Sequence, residues 1–175
     1  IFKTLIADTK TSTQAVRQPQ NSSPVHQYAS GTDIVCNVNP SPAGETVSMA
    51  AGSKIGAADW DGSGQRWFKI AEWGATFNPF TFTSLNQKSL ITTIPSNTPS
   101  GEYLVRAKQM GLHQPGTPEI FVSCAQIKVT NGGSGNPSKV SIPGYIPQRD
   151  KSVALNIYWP VPTNYTYPGP AIWRG

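Results

Sequence analysis

Apolar residues along this chain fall into short runs or strict alternation, and Gly, Pro, Ser and Asn interrupt them before any run becomes long. Ser100-Gly101-Glu102-Tyr103-Leu104-Val105-Arg106-Ala107-Lys108 alternates as a half-buried strand does, one face apolar and the other polar. The pattern predicts strands over Phe2–Ala7, Ile34–Asn37, Glu45–Ala50, Lys54–Ala58, Trp67–Glu72, Leu90–Ile94, Gly101–Met110, Phe121–Thr130 and Ser152–Tyr158. Turn signals stand at Pro115-Gly116, Pro143-Gly144 and Pro168-Gly169-Pro170, and Asn131-Gly132-Gly133-Ser134-Gly135 reads as an exposed loop. No segment sustains a helical period and no internal repeat is visible. Many short strands with frequent turns indicate an all-β, antiparallel sandwich or barrel, with residues 1–175 as a single domain.

Composition agrees with that class. Of 175 residues, 37% are hydrophobic and 13% charged, with 16 Gly and 16 Pro. Charge runs at about half the ~25% usual in soluble domains, which argues against a helical bundle. Five Trp, six Tyr and six Phe supply a core, so the low charge does not signal disorder. No stretch reaches the roughly 18 apolar residues of a membrane-spanning helix.

The net charge of +5 invites a nucleic-acid reading, but the 14 basic residues are scattered from Lys3 to Arg174. Counterion release needs a concentrated patch, and none is present, so no nucleic-acid partner is expected. The chain begins at Ile1 rather than Met, which reads as a processed form or a piece of a gene product. Cys36 and Cys124 either pair, closing a loop worth roughly 4.5 kcal/mol, or are two buried thiols of a cytosolic protein. The non-Met start tips the reading toward a secreted chain with one disulfide. Asn21-Ser22-Ser23 and Asn164-Tyr165-Thr166 fit the N-glycosylation sequon.

Chemistry is sparse. His26 and His113 are the two histidines, and no zinc, phosphate-loop, nucleophile-elbow or dinucleotide fingerprint occurs. Nine acidic residues are spread along the chain without an identifiable glycosidase pair.

Read end to end, however, the blocks Val16-Arg17-Gln18-Pro19, Asp33-Ile34-Val35-Cys36-Asn37, Ala51-Gly52-Ser53-Lys54-Ile55-Gly56 and Trp67-Phe68-Lys69-Ile70-Ala71-Glu72 fall in a familiar order. Gly101-Glu102-Tyr103-Leu104-Val105-Arg106-Ala107, Leu112-His113, Cys124-Ala125-Gln126-Ile127, Ile142-Pro143-Gly144-Tyr145 and Tyr167-Pro168-Gly169-Pro170 complete it. Each block is weak alone. Together they resemble the fungal lytic polysaccharide monooxygenases of auxiliary-activity family nine, formerly glycoside hydrolase family sixty-one. The resemblance implies an immunoglobulin-like antiparallel β-sandwich, a secreted protein, a Cys36–Cys124 disulfide, and copper-dependent oxidation of cellulose or related β-glucans.

The same resemblance exposes departures. Such enzymes hold copper in a histidine brace formed by an N-terminal His and a second His, and nitrogen donors suit that metal. Position 1 is Ile, and only Asp59 to Arg66 joins the strands between which the second His normally lies. The resemblance places a Gln, an axial Tyr and a Glu where Glu119, Phe121 and Lys108 stand. His113 survives, leaving His113, Glu119 and Phe121 as a vestigial site with no metal and no cofactor expected. Tyr165 matches a surface Tyr that stacks on sugar rings, with Tyr167 and Trp173 near it in sequence.

The expected function is a non-catalytic, monomeric, extracellular relative that binds cellulose, another β-glucan or another surface through Tyr165, Tyr167 and Trp173. Two alternatives stand beside it: an active copper monooxygenase whose chain is incomplete, and a secreted interaction or signalling protein reusing the scaffold.

Overall fold

A computed structural model describes residues 2–7, 9–26, 31–50, 61–147 and 149–175. Its strands, in chain order, are β1 (Leu5–Ala7), β2 (Lys10–Ser12), β3 (Val16–Arg17), β4 (Val25–His26), β5 (Val47–Ala50), β6 (Gln65–Trp67), β7 (Ala75–Phe77), β8 (Phe80–Phe82), β9 (Gly101–Gly111), β10 (Glu119–Thr130) and β11 (Val140–Ser141). A single helical turn, α1 (Asp33–Cys36), lies between β4 and β5. The all-β expectation holds, and the fold is a β-sandwich.

β10 organises the larger sheet. One of its edges pairs antiparallel with β9 along nearly its whole length, from Glu119↔Gly111 to Val129↔Gly101. The other edge is divided among β4 at Glu119 and Ile120, β3 at Cys124 and Ala125, and β5, parallel, from Ile127 to Thr130. Side chains alternate across a strand, so β10 feeds two apolar layers. Ile120, Val122 and Cys124 join Val25, Ile34, Val35, Trp67, Leu104 and Ile142 in the main core. Val47 packs with Ala7 and Ala15 in a smaller cluster, and its β10 partner Ile127 is equally buried.

The Cys36–Cys124 disulfide ties α1 to β10. Arg106 seals the same joint: Nε donates to the Val35 carbonyl (2.8 Å) and an Nη to that of Ile34 (2.7 Å). Asn37 takes a left-handed conformation after the turn (φ 78°), and its buried amide donates to the Val122 carbonyl at 3.1 Å. Gly62 passes so close to α1 that an added Cβ would lie 2.2 Å from Val35 Cγ1, and its carbonyl accepts the Trp67 indole N–H. No larger side chain fits there.

Several expected strands are corrected. Ile34–Asn37 is α1 and its cap rather than a strand, because the disulfide and the Arg106 fork hold a compact turn against β-branched propensity. Leu90–Ile94 forms no strand; Ile91 is 83% exposed and the segment has no partner strand among the described residues. Ser152–Tyr158 is a chain of turns. Asp150 accepts from both the amide and the hydroxyl of Ser152, and Asn156 accepts from the Tyr158 amide, which diverts backbone N–H groups from a ladder. Trp67–Glu72 shrinks to β6 plus a bridge from Lys69 to Ile172. Lys54–Ala58 lies outside the described residues.

Candidate functional site

The loop between β9 and β10 carries His113. Leu112 is buried beneath it, and a turn from the Gln114 carbonyl to the Thr117 amide (3.2 Å) closes it. Antiparallel register sets Glu119 opposite both Gly111 and His26. Gly111 leaves room for the imidazole, since a Cβ there would stand 3.2 Å from His113 Nδ1. His113 Nε2 and Glu119 Oε2 thus approach to 3.8 Å, with about half of each side chain in solvent. A pair so exposed is worth under about 1 kcal/mol and does not lock the site.

Phe121 lies two residues along β10 on the Glu119 face, and Ser123 two further on. The Ser123 hydroxyl accepts the Phe2 amide at 3.1 Å, so the start of the described chain runs along this face. Glu119 and Phe121 of the expected vestigial site therefore share one face of β10, and the loop before it brings His113 to Glu119. Position 1 and the connection through Asp59 and Trp60 lie outside the described residues.

Copper can be tested against the donors. No three His, Cys, Asp or Glu side chains converge among the described residues. The His113–Glu119 pair offers one imidazole and one carboxylate, too few donors for a nitrogen-rich copper site. The described residues do not fit the metal.

The expected sugar-binding aromatics are engaged by the protein itself. The Tyr165 hydroxyl donates to the Ser152 carbonyl (2.8 Å), and its ring meets Phe82 and Tyr167 edge-on. Burial pushes the Tyr165 phenol up to about 12. The Tyr167 oxygen accepts the Ala75 amide (3.2 Å), and its ring covers Gly74, where a Cβ would collide. Trp173 packs edge-on against Phe68 and over Gly135, away from the Tyr165–Tyr167 pair in its contacts. The three side chains brace the β7–β8 hairpin and the C-terminal tail.

The open aromatic surface is elsewhere. Tyr158 is 60% exposed and Trp159 79%. Asn156 fixes their backbone, accepting the amides of Tyr158 (2.9 Å) and Trp159 (3.3 Å) and donating to the Trp159 carbonyl (2.9 Å). The Tyr158 hydroxyl donates to the His113 carbonyl at 3.1 Å, which joins this ridge to the His113 loop. Adjacent Tyr and Trp followed by Pro160 and Pro162 were the sequence signal for it. Both sequon asparagines are exposed, and Asn21 Oδ1 accepts the Ser23 amide at 2.9 Å.

Lys108 sits on the other face of the β9–β10 ladder, opposite Val122, with its Nζ buried and without a hydrogen-bond partner.

Comparison with known proteins places this architecture. The chain is 41% identical to AA9 family lytic polysaccharide monooxygenase H of Malbranchea cinnamomea, over 91% of this chain and 84% of that one. It is 39% identical to monooxygenase C of the same family from Emericella nidulans, over 82% of this chain and 76% of the relative. The first alignment runs over 195 positions against a chain of 175 residues, so the relative carries residues with no counterpart here. A crystal structure of a cellulose-active polysaccharide monooxygenase from M. thermophila superposes with a TM-score of 0.76 at 28% identity, covering 92% of this chain and 88% of that chain. The family profile itself matches residues 56–167. By sequence and by fold, the chain belongs to Auxiliary Activity family 9, formerly GH61.

Proposed function

We propose that this family member is a secreted, monomeric, non-catalytic polysaccharide-binding protein whose ligand is cellulose or a related β-glucan. The observation that carries the reading is the fixed, exposed Tyr158–Trp159 ridge tied to the His113 loop. Flat rings with polar tips suit the apolar faces of pyranose units, and a ridge already held by Asn156 loses little freedom on binding. The His113–Glu119 pair beside it offers polar contacts to sugar hydroxyls. The Cys36–Cys124 disulfide supports an oxidising, extracellular setting. Depletion from solution by cellulose, chitin and β-glucan tests the proposal. Retention that falls in Trp159→Ala supports it; no retention on any of the three rejects it.

A second reading, the copper monooxygenase, draws on the Phe2–Ser123 contact. Phe2 lies on the β10 face that carries Glu119 and Phe121, and this reading takes the chain to be incomplete and the missing donors to join that face. Intact mass of the protein from its natural source, with copper titration of that material, separates the two readings.

A further inference from the structure

Leu104, Arg106, Lys108 and Met110 share the inward face of β9, opposite Gln126, Cys124, Val122 and Ile120. Lys108 therefore projects toward the main core, where Met110 and Tyr145 also pack. Its Nζ is sealed from solvent and has no hydrogen-bond acceptor; its neighbour is the face of Tyr145, 5.2 Å from the ring centroid. An ammonium carries three donors, and a buried one with none satisfied is disfavoured against the neutral amine.

The surrounding charges sharpen this. Arg106, two residues away on the same face, spends its guanidinium on the carbonyls of Ile34 and Val35. Lys69 also lies close to Tyr145: a Cβ on Gly169 would touch both the Tyr145 ring (3.0 Å) and Lys69 Cε (3.8 Å). The Lys69 ammonium is taken by Glu72 (2.8 Å) and the Pro168 carbonyl (2.9 Å), so Glu72 is already engaged. Arg106 and Lys69 thus repel a proton on Lys108 without offering it an acceptor. Burial foremost, then Arg106, then Lys69, pull its pKa down to about 7.

We propose that Lys108 is a carbon dioxide capture site, its buried amine reacting to form a carbamate within the Arg106–Lys69 cluster. The Nζ lone pair forms a bond to the carbon of CO2, one C=O π pair moves onto oxygen, and an N–H proton is released to solvent by the same route through which the amine gains and loses its own proton. The amine and CO2 thereby become a carbamate anion and a proton, with no redox partner. Carbon dioxide is small and uncharged, so the burial of Nζ hinders it less than it hinders hydrated reagents. The product is an anion, which the two flanking cations favour. An aldehyde adduct would carry no such charge and would gain nothing from them.

The test uses the whole chain equilibrated with 13C-bicarbonate above neutral pH, followed by NMR and by alkylative trapping with peptide mapping. The expected result is a carbamate carbon signal and one trapped group on the peptide carrying Lys108, with occupancy rising as pH passes about 7. Lys108→Met abolishes that signal, and Lys69→Met lowers its occupancy. Mapping on the unsubstituted chain decides the matter even if Lys108→Met does not fold. Label confined to the exposed Lys10 or Lys88, or a bicarbonate signal that leaves no trapped group on Lys108, overturns the proposal.

Discussion

The hydroxyl of Tyr158 donates to the main-chain carbonyl of His113, 45 residues away in sequence and 3.1 Å away in space. That bond makes one surface of two loops. It also leaves Trp159, next in the chain, facing water. Trp159→Ala is expected to weaken retention on cellulose about tenfold, roughly 1.4 kcal/mol, while the urea midpoint stays within error because the ring supports no core. Depletion isotherms on both proteins, with melting followed by circular dichroism, check this. Unchanged retention would remove the ridge from the binding face.

Tyr165 gives the opposite expectation. Its hydroxyl is used on Ser152 and its ring on Phe82 and Tyr167. Tyr165→Phe should lower stability by about 1 kcal/mol, the net worth of one hydrogen bond, and leave polysaccharide retention unaltered. A selective loss of retention at constant stability would return Tyr165 to the ligand.

The Arg106 fork satisfies two carbonyls of α1 with rigid, planar geometry. Lysine keeps the charge but cannot reach both oxygens. Arg106→Lys is expected to destabilise by about 2 kcal/mol with no change in the denaturant slope. Equilibrium urea unfolding is the measurement.

Cys36 and Cys124 close a loop across 88 positions. The Cys36→Ala/Cys124→Ala pair should lose about 4.5 kcal/mol, chiefly through a freer unfolded chain. Guanidinium unfolding of the two proteins gives the difference, and near-equal stabilities would contradict it.

Lys108 makes stability depend on alkaline pH with a definite sign. Its native pKa lies near 7 against an ordinary 10.5. Between those values the unfolded chain holds a proton that the native protein has released, so stability rises with pH; below about 7 the penalty is constant. In buffer free of carbon dioxide, urea midpoints should climb from pH about 7 to 10, and Lys108→Met should flatten the climb. The window closes near 10 because Tyr103 and Tyr165, pushed up to about 12 by burial, then favour the unfolded chain, whose phenols ionise first. A flat profile in the unsubstituted protein would show that Lys108 keeps its proton.

What the sequence made legible follows the physics of each signal. β9 and β10 were readable to within two residues because alternation and pairing reinforce each other over a long ladder. Alternation along β10 then puts Glu119 and Phe121 on one face, and the short loop after Gly111 brings His113 to Glu119. The β7–β8 hairpin was missed: Phe77, Phe80 and Phe82 stack mainly on one another and on Tyr165, so no buried face leaves a period to detect. α1 was misread because Ile34 and Val35 favour strands in isolation, and the forces that coil them come from Arg106 and Cys124, distant in sequence. Tyr158 was read as the end of a strand, with Trp159 just beyond it, because Asn156, which turns the backbone there, acts through its side chain.

The divided edge of β10 carries a last consequence. Three separate segments, β4, β3 and β5, dock side by side on twelve residues, and the chain between them must bridge fixed intervals along that edge. A single residue inserted within β10 would displace some of these berths relative to the others and turn inward-facing groups outward. Lengthening a loop between strands disturbs none of them, nor does shortening one that still spans its interval. Descent with insertions and deletions is thereby channelled into the connections, and a relative can differ by a whole segment while β10 keeps its count.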